Sequence, residues 1–479
     1  MAFDASVTPT KQITDMKKGP LIAVMIIGAF VAVLNETLMN VALSEIMVQL
    51  NITASIAQWL TTSYMLTIGI LIPITAYLMQ RFTTRQLYLT AMGLFTLGTF
   101  IAGVSPNFEL LLAGRVIQAA GTGIILPLMS AVVLALISPE KRGRVMGALG
   151  VVILFAPAIG PTVSGVIIVY FSWRMLFFFV LPIAIFALLF SWKMLRNVID
   201  VTKLKLDFIS VLFSTLGFGG IVYGFSSAGK GGAGWASLEV LIGILVGCVG
   251  LIFFTIRQNR LEHPMLSLRP FSFPLFTIGA IILTLTMMAM FSSMILLPMF
   301  LQDGLNISAL QTGLAMLPGG IIMGIMSPLS GKLFDKYGAR WLSRIGLVIV
   351  AVTLLLFSFL DINVTLGKII LLHSFMMLGI SLFMMPIMTM SLNQLPKEFY
   401  SHGSAILNTV QQVSGAIGTA LLITIMSRGQ EAYMEKFGGS YELSLTSGVN
   451  QAFLFACGTI VFTFLISLLI KDTSKVKQP

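Results

Sequence analysis

The sequence is poor in charged residues, histidine and cysteine. Only 10% of its 479 residues are charged, and it has three histidines and two cysteines. Cys248 and Cys457 both lie in apolar stretches, where isolated thiols are more typical of small buried side chains than of a disulfide or metal site. No cluster of metal ligands and no nucleophile with a base at a recognisable spacing occurs in the sequence. We therefore expect a protein that is not an enzyme and that binds no metal and no cofactor.

Long apolar runs make up most of the chain, and hydrophobic residues account for 57% of it. A soluble domain of this length could not bury that much apolar surface, whereas a helix that crosses a bilayer needs about 20 apolar residues in a row. The sequence predicts an all-α polytopic membrane protein with fourteen membrane-spanning helices. The predicted spans cover residues 20–43, 57–80, 86–105, 108–136, 144–170, 173–194, 207–228, 237–257, 273–301, 309–332, 341–360, 366–394, 402–427 and 449–471.

The basic residues are unevenly distributed between the two sides of these predicted spans. Most of the 29 lysines and arginines fall in alternate connecting segments, such as those that hold Lys17, Arg81 and Lys141. The positive-inside rule then places these segments and both termini in the cytoplasm, with the protein in the cell membrane. Because the basic residues are spread over short loops and form no single patch, nucleic acid is not an expected partner. The polar N-terminal tail lacks a short apolar core, which argues against a cleaved signal peptide.

Two ionisable residues stand inside predicted spans. Glu36 is the carboxylate set into the first span, on the same helix face as Asn40, and Arg115 is the cation set into the fourth. A charge at membrane depth is costly, so it serves transport or forms a static ion pair between helices. The residues alone leave both interpretations open. Our candidates are Glu36 and Arg115 for proton coupling, and Asn35, Asn40 and Gln118 for the lining of a substrate cavity.

The stretch 147–165 has the composition of a membrane helix that bends. Ala156, Gly160 and Ser164 recur every four residues, so one helix face carries only small side chains and allows close approach of a neighbouring helix. Pro157 and Pro161 each remove a backbone hydrogen-bond donor, a defect tolerated where the helix contacts protein. The candidate hinge or gate residues are Pro157, Gly160, Pro161 and Gly165.

Sequence similarity between the two halves of the chain predicts a repeat. Segment 76–85, after the second span, has the same pattern as segment 331–340, after the tenth. The second copy has glycines and Asp335 suited to a tight turn, whereas Gln80 replaces the acid in the first, which predicts a weaker latch there. The candidate residues for this inner-loop motif are Arg81, Arg85, Gly331, Asp335, Gly338 and Arg340.

The repeat suggests two six-helix halves joined by an inserted pair of helices. Segment 156–160 resembles 414–418, and Pro127 corresponds to Pro386. We predict a substrate path between the halves near the middle of the membrane. The expected organisation is a tail at 1–19, a first half at 20–200, inserted helices at 201–262, a second half at 263–471 and a tail at 472–479.

These motifs resemble those of the drug:proton antiporters of the major facilitator superfamily, and in particular the fourteen-span family of the EmrB and QacA type. Segment 331–340 matches the superfamily pattern G-x-L-x-D-x-x-G-x-R, and segment 115–123 resembles R-x-x-Q-G-x-G with Ala119 in place of a glycine. Other stretches that resemble this family are 156–165, 172–182, 297–302, 311–319 and 403–418.

The resemblance implies a major facilitator fold that exports amphipathic or cationic drugs, including antibiotics such as lincosamides, in exchange for protons and without ATP. In that family the first span usually carries an aspartate where this sequence has Asn35, and Glu36 lies about 100° further round the helix. The implied partners are small-molecule drugs, protons and the lipid bilayer. We expect a monomer, with accessory proteins left open. The alternatives are a proton-coupled transporter of a peptide, siderophore or osmolyte, and a membrane sensor that transports nothing.

Overall fold

The computed structural model describes residues 18–52, 54–198, 207–228 and 234–470, so the two predicted tails lie almost wholly outside the described residues. Within the described ranges the regular structure is entirely helical, which confirms the predicted fold class. We number fourteen long helices in chain order. They are α1 (Lys18–Leu50), α2 (Ala54–Arg81), α3 (Thr84–Gly103), α4 (Phe108–Leu136), α5 (Pro139–Gly150, Val151–Phe155 and Ala156–Tyr170), α6 (Arg174–Met194), α7 (Phe208–Ala228), α8 (Leu238–Arg260), α9 (Pro274–Met299 and Phe300–Gly304), α10 (Ala309–Tyr337), α11 (Ala339–Phe357), α12 (Leu366–Asn393), α13 (Tyr400–Phe437) and α14 (Tyr441–Ser467). Three single turns of 3₁₀ helix lie at Gly234–Ala236, Arg269–Ser272 and Lys397–Phe399.

Thirteen of these helices are long and apolar enough to cross a membrane. The exception is α5, where five residues of π-helix, Val151–Phe155, separate two α-helical parts. The amide of Ala156 bonds to the carbonyl of Val151, five residues earlier, directly before Pro157. A proline cannot donate to the preceding turn, so the wider π turn accommodates the break and the chain remains helical through Pro161.

Each half of the molecule contains a pair of helices that touch backbone to backbone at glycines. In the first half, a Cβ atom at Gly98 of α3 would lie 2.6 Å from the carbonyl oxygen of Gly114 in α4. In the second half, a Cβ atom at Gly346 of α11 would lie 2.6 Å from the carbonyl oxygen of Gly379 in α12. The same contact therefore recurs at corresponding helices, as a repeated six-helix unit requires.

The inserted helices α7 and α8 also pack through glycine and contact both halves. A Cβ atom at Gly220 would lie 2.6 Å from the amide nitrogen of Gly247. Tyr223 of α7 stacks on Trp59 of α2, with ring centroids 5.9 Å apart. Trp235, just before α8, donates its indole N–H to the hydroxyl of Thr424 in α13. The boundaries predicted from the sequence for the tails, the two halves and the inserted helices stay predictions.

Candidate functional site

Arg115 of α4 is fully buried in the first half and is held by polar side chains from three helices. Its Nη1 donates to Oδ1 of Asn35 in α1 at 2.9 Å and to Oε1 of Gln118 one turn further along α4 at 2.8 Å. The guanidinium carbon lies 3.9 Å from the ring centroid of Tyr64 in α2, a cation–π contact. The positive charge is therefore fixed at the centre of the first six-helix half.

Further hydrogen bonds hold the partners of Arg115 in place. Gln118 donates through Nε2 to the hydroxyl of Thr99 in α3 at 2.7 Å. The hydroxyl of Tyr64 and that of Thr122 in α4 are 2.8 Å apart. Sequence reasoning missed Tyr64, although Gln118 and Thr122 follow Arg115 at helical spacing and mark one polar face of α4. We call the residues Asn35, Tyr64, Thr99, Arg115, Gln118 and Thr122 the Arg115 cluster.

Glu36 is beside this cluster but outside its hydrogen bonds. Its side chain is 8% exposed, and among the described residues it is the only buried carboxylate. It makes no hydrogen bond and no ion pair within 4 Å in the part of the chain that the structure describes, where the one ion pair joins Asp207 and Arg257. Nη2 of Arg115 likewise has no hydrogen-bond partner there. The two opposite charges therefore interact through space without direct contact.

The three candidate cavity residues have different outcomes. Asn35 and Gln118 are 2% and 0% exposed, and both accept hydrogen bonds from Arg115. In this conformation they stabilise the arginine and do not line an open space. The side chain of Asn40 lies outside the described residues.

The small-residue face of α5 contacts α1, close to Glu36. A Cβ atom at Gly160 would lie 2.1 Å from Oγ1 of Thr37. Ser164 donates its hydroxyl to the carbonyl oxygen of Leu38 at 2.7 Å. Pro157 is buried and Pro161 half-buried, and a Cβ atom at Gly165 would lie 3.9 Å from Cα of Leu310 in α10. The predicted hinge residues therefore lie between the helix that carries Glu36 and the second half.

A tight seam joins α5 to α10 at the end of the bundle where segments 76–85 and 331–340 lie. We call this end the motif face. The carboxylate of Asp335 accepts hydrogen bonds from the backbone amides of Gly143 and Arg144, each at 2.9 Å. A Cβ atom at Gly331 would lie 2.1 Å from the carbonyl oxygen of Gly143. The second copy of the loop motif thus binds the first half directly, and the path between α5 and α10 is closed at this face.

The remaining motif residues have separate local contacts. Arg85 donates to the carbonyl oxygen of Trp192 at the end of α6, 2.7 Å away, so it stays within the first half. Gly338 has a φ of 73°, which a residue with a side chain rarely adopts, and it forms the turn between α10 and α11. Arg81 is exposed at the end of α2, and Arg340 is half-buried in the first turn of α11.

His373 of α12 is a buried histidine that belongs to neither site. Its side chain is 2% exposed, and neither ring nitrogen has a hydrogen-bond partner in the described parts of the chain. The ring packs against Gly319 of α10, where a Cβ atom would lie 2.5 Å from Cδ2.

Two repeated six-helix halves, an inserted pair and buried polar residues within one half define the class as a polytopic membrane transporter. The family model of the major facilitator superfamily matches residues 25–419. The chain belongs to this superfamily, a family of transporters and not of enzymes.

Several relatives align with almost the whole chain. It is 48% identical over 454 residues to a lincomycin resistance protein, LmrB, of Bacillus subtilis, covering 94% of this chain and 95% of the relative. It is 29% identical over 408 residues to the multidrug export protein EmrB of Haemophilus influenzae, covering 85% and 80%.

Solved structures share the fold at low sequence identity. The human organic anion transporter MFSD10 superposes with a TM-score of 0.63 at 14% identity, over 96% of this chain and 100% of that one. The proton:xylose symporter XylE gives a TM-score of 0.63 at 14% identity, over 95% and 96%. At this identity the likeness supports the fold alone.

Proposed function

We propose that this protein is a proton-coupled multidrug exporter that moves amphipathic or cationic drugs, lincosamides included, out of the cell. The observation that carries the proposal is the buried pair of charges in the first half, Glu36 beside the Arg115 cluster, in a chain related to drug exporters. We place the protein in the cell membrane with the motif face and both termini in the cytoplasm, in line with the basic residues of the connecting loops.

Glu36 is the proton-carrying residue in this proposal. Its ionised form compensates the charge of Arg115 through space, whereas its protonated form leaves that charge uncompensated in a buried site. A cationic drug near Glu36 favours the ionised form and expels the proton. Drug and proton therefore compete for one carboxylate without having to touch the same atoms.

Alternating access follows from the two seams of α5. The helix contacts α1 beside Glu36 and contacts α10 at the motif face, so a movement at one seam reaches the other. Pro157 lies between these seams, and Gly160, Pro161 and Gly165 lie in the part of α5 that contacts α1. We assign these four residues the hinge. The proton gradient and the membrane potential drive the cycle, with no bound cofactor.

The test is proton release from purified protein on addition of lincomycin or ethidium, with Glu36→Gln compared with wild type. We expect release by wild type and a loss of at least about tenfold in the variant, because a neutral amide cannot give up the proton. Glu45→Gln is the matched control. It makes the same change in the same helix, at a half-buried carboxylate that accepts a hydrogen bond from Gln49, and should behave as wild type.

Equal release from wild type and Glu36→Gln would move the proton site away from Glu36. Absence of release from both, together with uptake of a peptide, siderophore or osmolyte in proteoliposomes, would replace drug export by transport of a physiological solute.

A further inference from the structure

A second link between the halves at the motif face involves a histidine. Nε2 of Gln80, near the end of α2, lies 3.1 Å from Nε2 of His402, near the start of α13. The other ring nitrogen of His402, Nδ1, accepts a hydrogen bond from the backbone amide of Ser267 at 3.1 Å. The side chain of His402 is 7% exposed. One imidazole thus bridges the first half and the segment that leads into the second.

The contact between Gln80 and His402 corresponds to the contact that Asp335 makes with α5 in the other copy of the repeat. Gln80 occupies in the first loop motif the position that Asp335 occupies in the second. Asp335 binds the start of α5, and Gln80 binds the start of α13, the helix that corresponds to α5 in the second half. The motif face therefore has two latches related by the repeat, one with a carboxylate and one with a neutral amide and an imidazole.

The contacts of the ring determine which protonation state closes the second latch. A neutral imidazole has one nitrogen that accepts a hydrogen bond, and its position depends on the tautomer. Nδ1 faces the N–H of Ser267, and Nε2 faces the amide nitrogen of Gln80, which also donates to the carbonyl oxygen of Ala76 at 3.2 Å. The neutral ring therefore accepts one of these two hydrogen bonds at a time. Protonation places a hydrogen on both nitrogens, so the ring can accept neither bond.

The segments around the ring contain four exposed charged residues and one buried arginine. Arg81 ends α2, Arg269 lies in the segment after Ser267, and Lys397 and Glu398 precede α13. These four side chains are exposed. Arg142 of α5 is buried and donates through Nη2 to the hydroxyl of Tyr400, two residues before His402, at 2.8 Å. His402 itself has no ion pair with any charged group in the described ranges. The ring of Phe399, with its centroid 6.4 Å away, is an apolar neighbour. A change in the charge of His402 therefore acts through the ring's own hydrogen bonds.

We propose that His402 is a proton-sensitive positioning residue of the cytoplasmic gate, which holds the gate closed when neutral and releases it when protonated from the cytoplasm. The proposal rests on the proposed function, which places the motif face on the cytoplasmic side of the membrane. It adds a second proton-dependent step, separate from Glu36, that links the return of the transporter to its inward-open state to cytoplasmic pH.

The experiment measures the opening of the motif face without any drug. Spin labels on cysteines introduced at Phe82 and Glu398, both exposed on either side of the latch, report the distance between α2 and the start of α13. The full chain is used in nanodiscs, with Cys248 and Cys457 replaced by serine. When the pH is lowered from 8 to 5.5, we expect the fraction of molecules with an open motif face to rise about fivefold, which is the effect of losing one hydrogen bond.

His402→Gln should abolish this pH dependence, because an amide side chain does not titrate in this range. His263→Gln, the same change at an exposed histidine of the loop after α8, should retain it. Gln80→Leu removes the partner and leaves the bond to Ser267, so it should raise the open population at pH 8 and weaken the response to pH.

A pH response that persists in His402→Gln would assign it to Asp335 or Glu36 and overturn the proposal. The proposal would also be overturned if the open fraction of the unsubstituted protein did not change with pH, or if Gln80→Leu did not change the open fraction at pH 8. Failure of the drug-release assay with an intact response of the gate to pH would instead refute the proposed drug export and leave the histidine latch in place.

Discussion

At the scale of single residues, the central feature is a buried arginine whose charge is not directly paired. Arg115 is stabilised by two amide oxygens and by the face of Tyr64. Because guanidinium is planar, it donates in its own plane and stacks on an aromatic ring at the same time. Because Glu36 does not contact Arg115 directly, it can change protonation without breaking a hydrogen bond of the Arg115 cluster.

The contribution of Tyr64 is a prediction at this scale. Tyr64→Ala removes the aromatic face below Arg115, and we expect a loss of about 2 kcal/mol in stability, the size of a desolvated cation–π contact, before any cavity cost is added. Drug export should fall together with the stability. Thermal unfolding in detergent and drug export by membrane vesicles measure the two effects.

Tyr64→Phe is the control, because it retains the ring and removes only the hydroxyl that pairs with Thr122. We expect it to lose about 1 kcal/mol, as for one neutral hydrogen bond. If Tyr64→Phe were as damaging as Tyr64→Ala, the hydroxyl and not the ring would support Arg115.

At the scale of helices, the closest approach between the halves depends on glycine. At Gly331 an added methyl group would collide with the backbone carbonyl of Gly143, which no side-chain rearrangement relieves. The same two helices are joined by the carboxylate of Asp335. The seam between α5 and α10 is thus closed by backbone contact and by hydrogen bonds together.

Gly331→Ala should push α10 from α5 and open the motif face. A cysteine at Met385, a fully buried residue near Gly150 in this seam, should then react with a thiol reagent at least about tenfold faster, the change that a shift of 1.4 kcal/mol in the opening equilibrium produces. Gly458→Ala makes the same change where no other atom is within 4 Å of the added Cβ, and should leave the rate unaltered. Equal labelling in both variants would show that Gly331 does not determine closure.

The inserted helices α7 and α8 are joined at the motif face by an ion pair. Nε of Arg257 lies 2.8 Å from Oδ2 of Asp207, and Nη2 lies 2.9 Å from Oδ1. The hydrogen bond from Arg257 lowers the pKa of Asp207 to about 2. Both side chains remain partly exposed, with 33% and 23% of their surfaces accessible, so solvent reduces the energy of the pair.

Asp207→Asn should therefore destabilise the protein by only about 1 kcal/mol at neutral pH. A lowered pKa in the folded state stabilises above the unfolded value of about 3.9, and this gain is lost as the pH falls towards 2. The difference in unfolding midpoint between wild type and variant should be full at pH 6 and smaller at pH 3. Asp361→Asn, at an exposed aspartate that forms no ion pair with the described residues, should show no such difference. A difference that does not depend on pH would refute the ionic origin.

At the scale of the whole molecule, one chain contains both six-helix halves and the inserted pair. We expect the protein to work as a monomer. In proteoliposomes, the rate of drug export per protein should stay constant as the average occupancy falls below one protein per vesicle. A rate that falls in proportion to occupancy would show that two chains must associate. An inactive variant mixed in excess with wild type provides the control, since it should not inhibit.

The sequence alone predicted the membrane location, fourteen long helices, the repeat, and the positions of Glu36 and Arg115 inside membrane spans. These features depend on composition and on spacing along one helix, which a chain displays before it folds. The resemblance of its motifs also predicted the family correctly. The loop motif at Asp335 was recognisable because a tight turn and a helix-end carboxylate constrain neighbouring residues.

Which side chains contact one another depends on how the helices pack. Whether Asn35 or Glu36 faces Arg115 depends on the rotation of α1 about its axis, since the two residues differ by about 100°. Tyr64, Gln80 and His402 acquired roles through neighbours that are distant in sequence, such as His402 beside Gln80. Helix rotation and packing between the halves result from the sum of many weak contacts, so no single motif in the sequence specifies them.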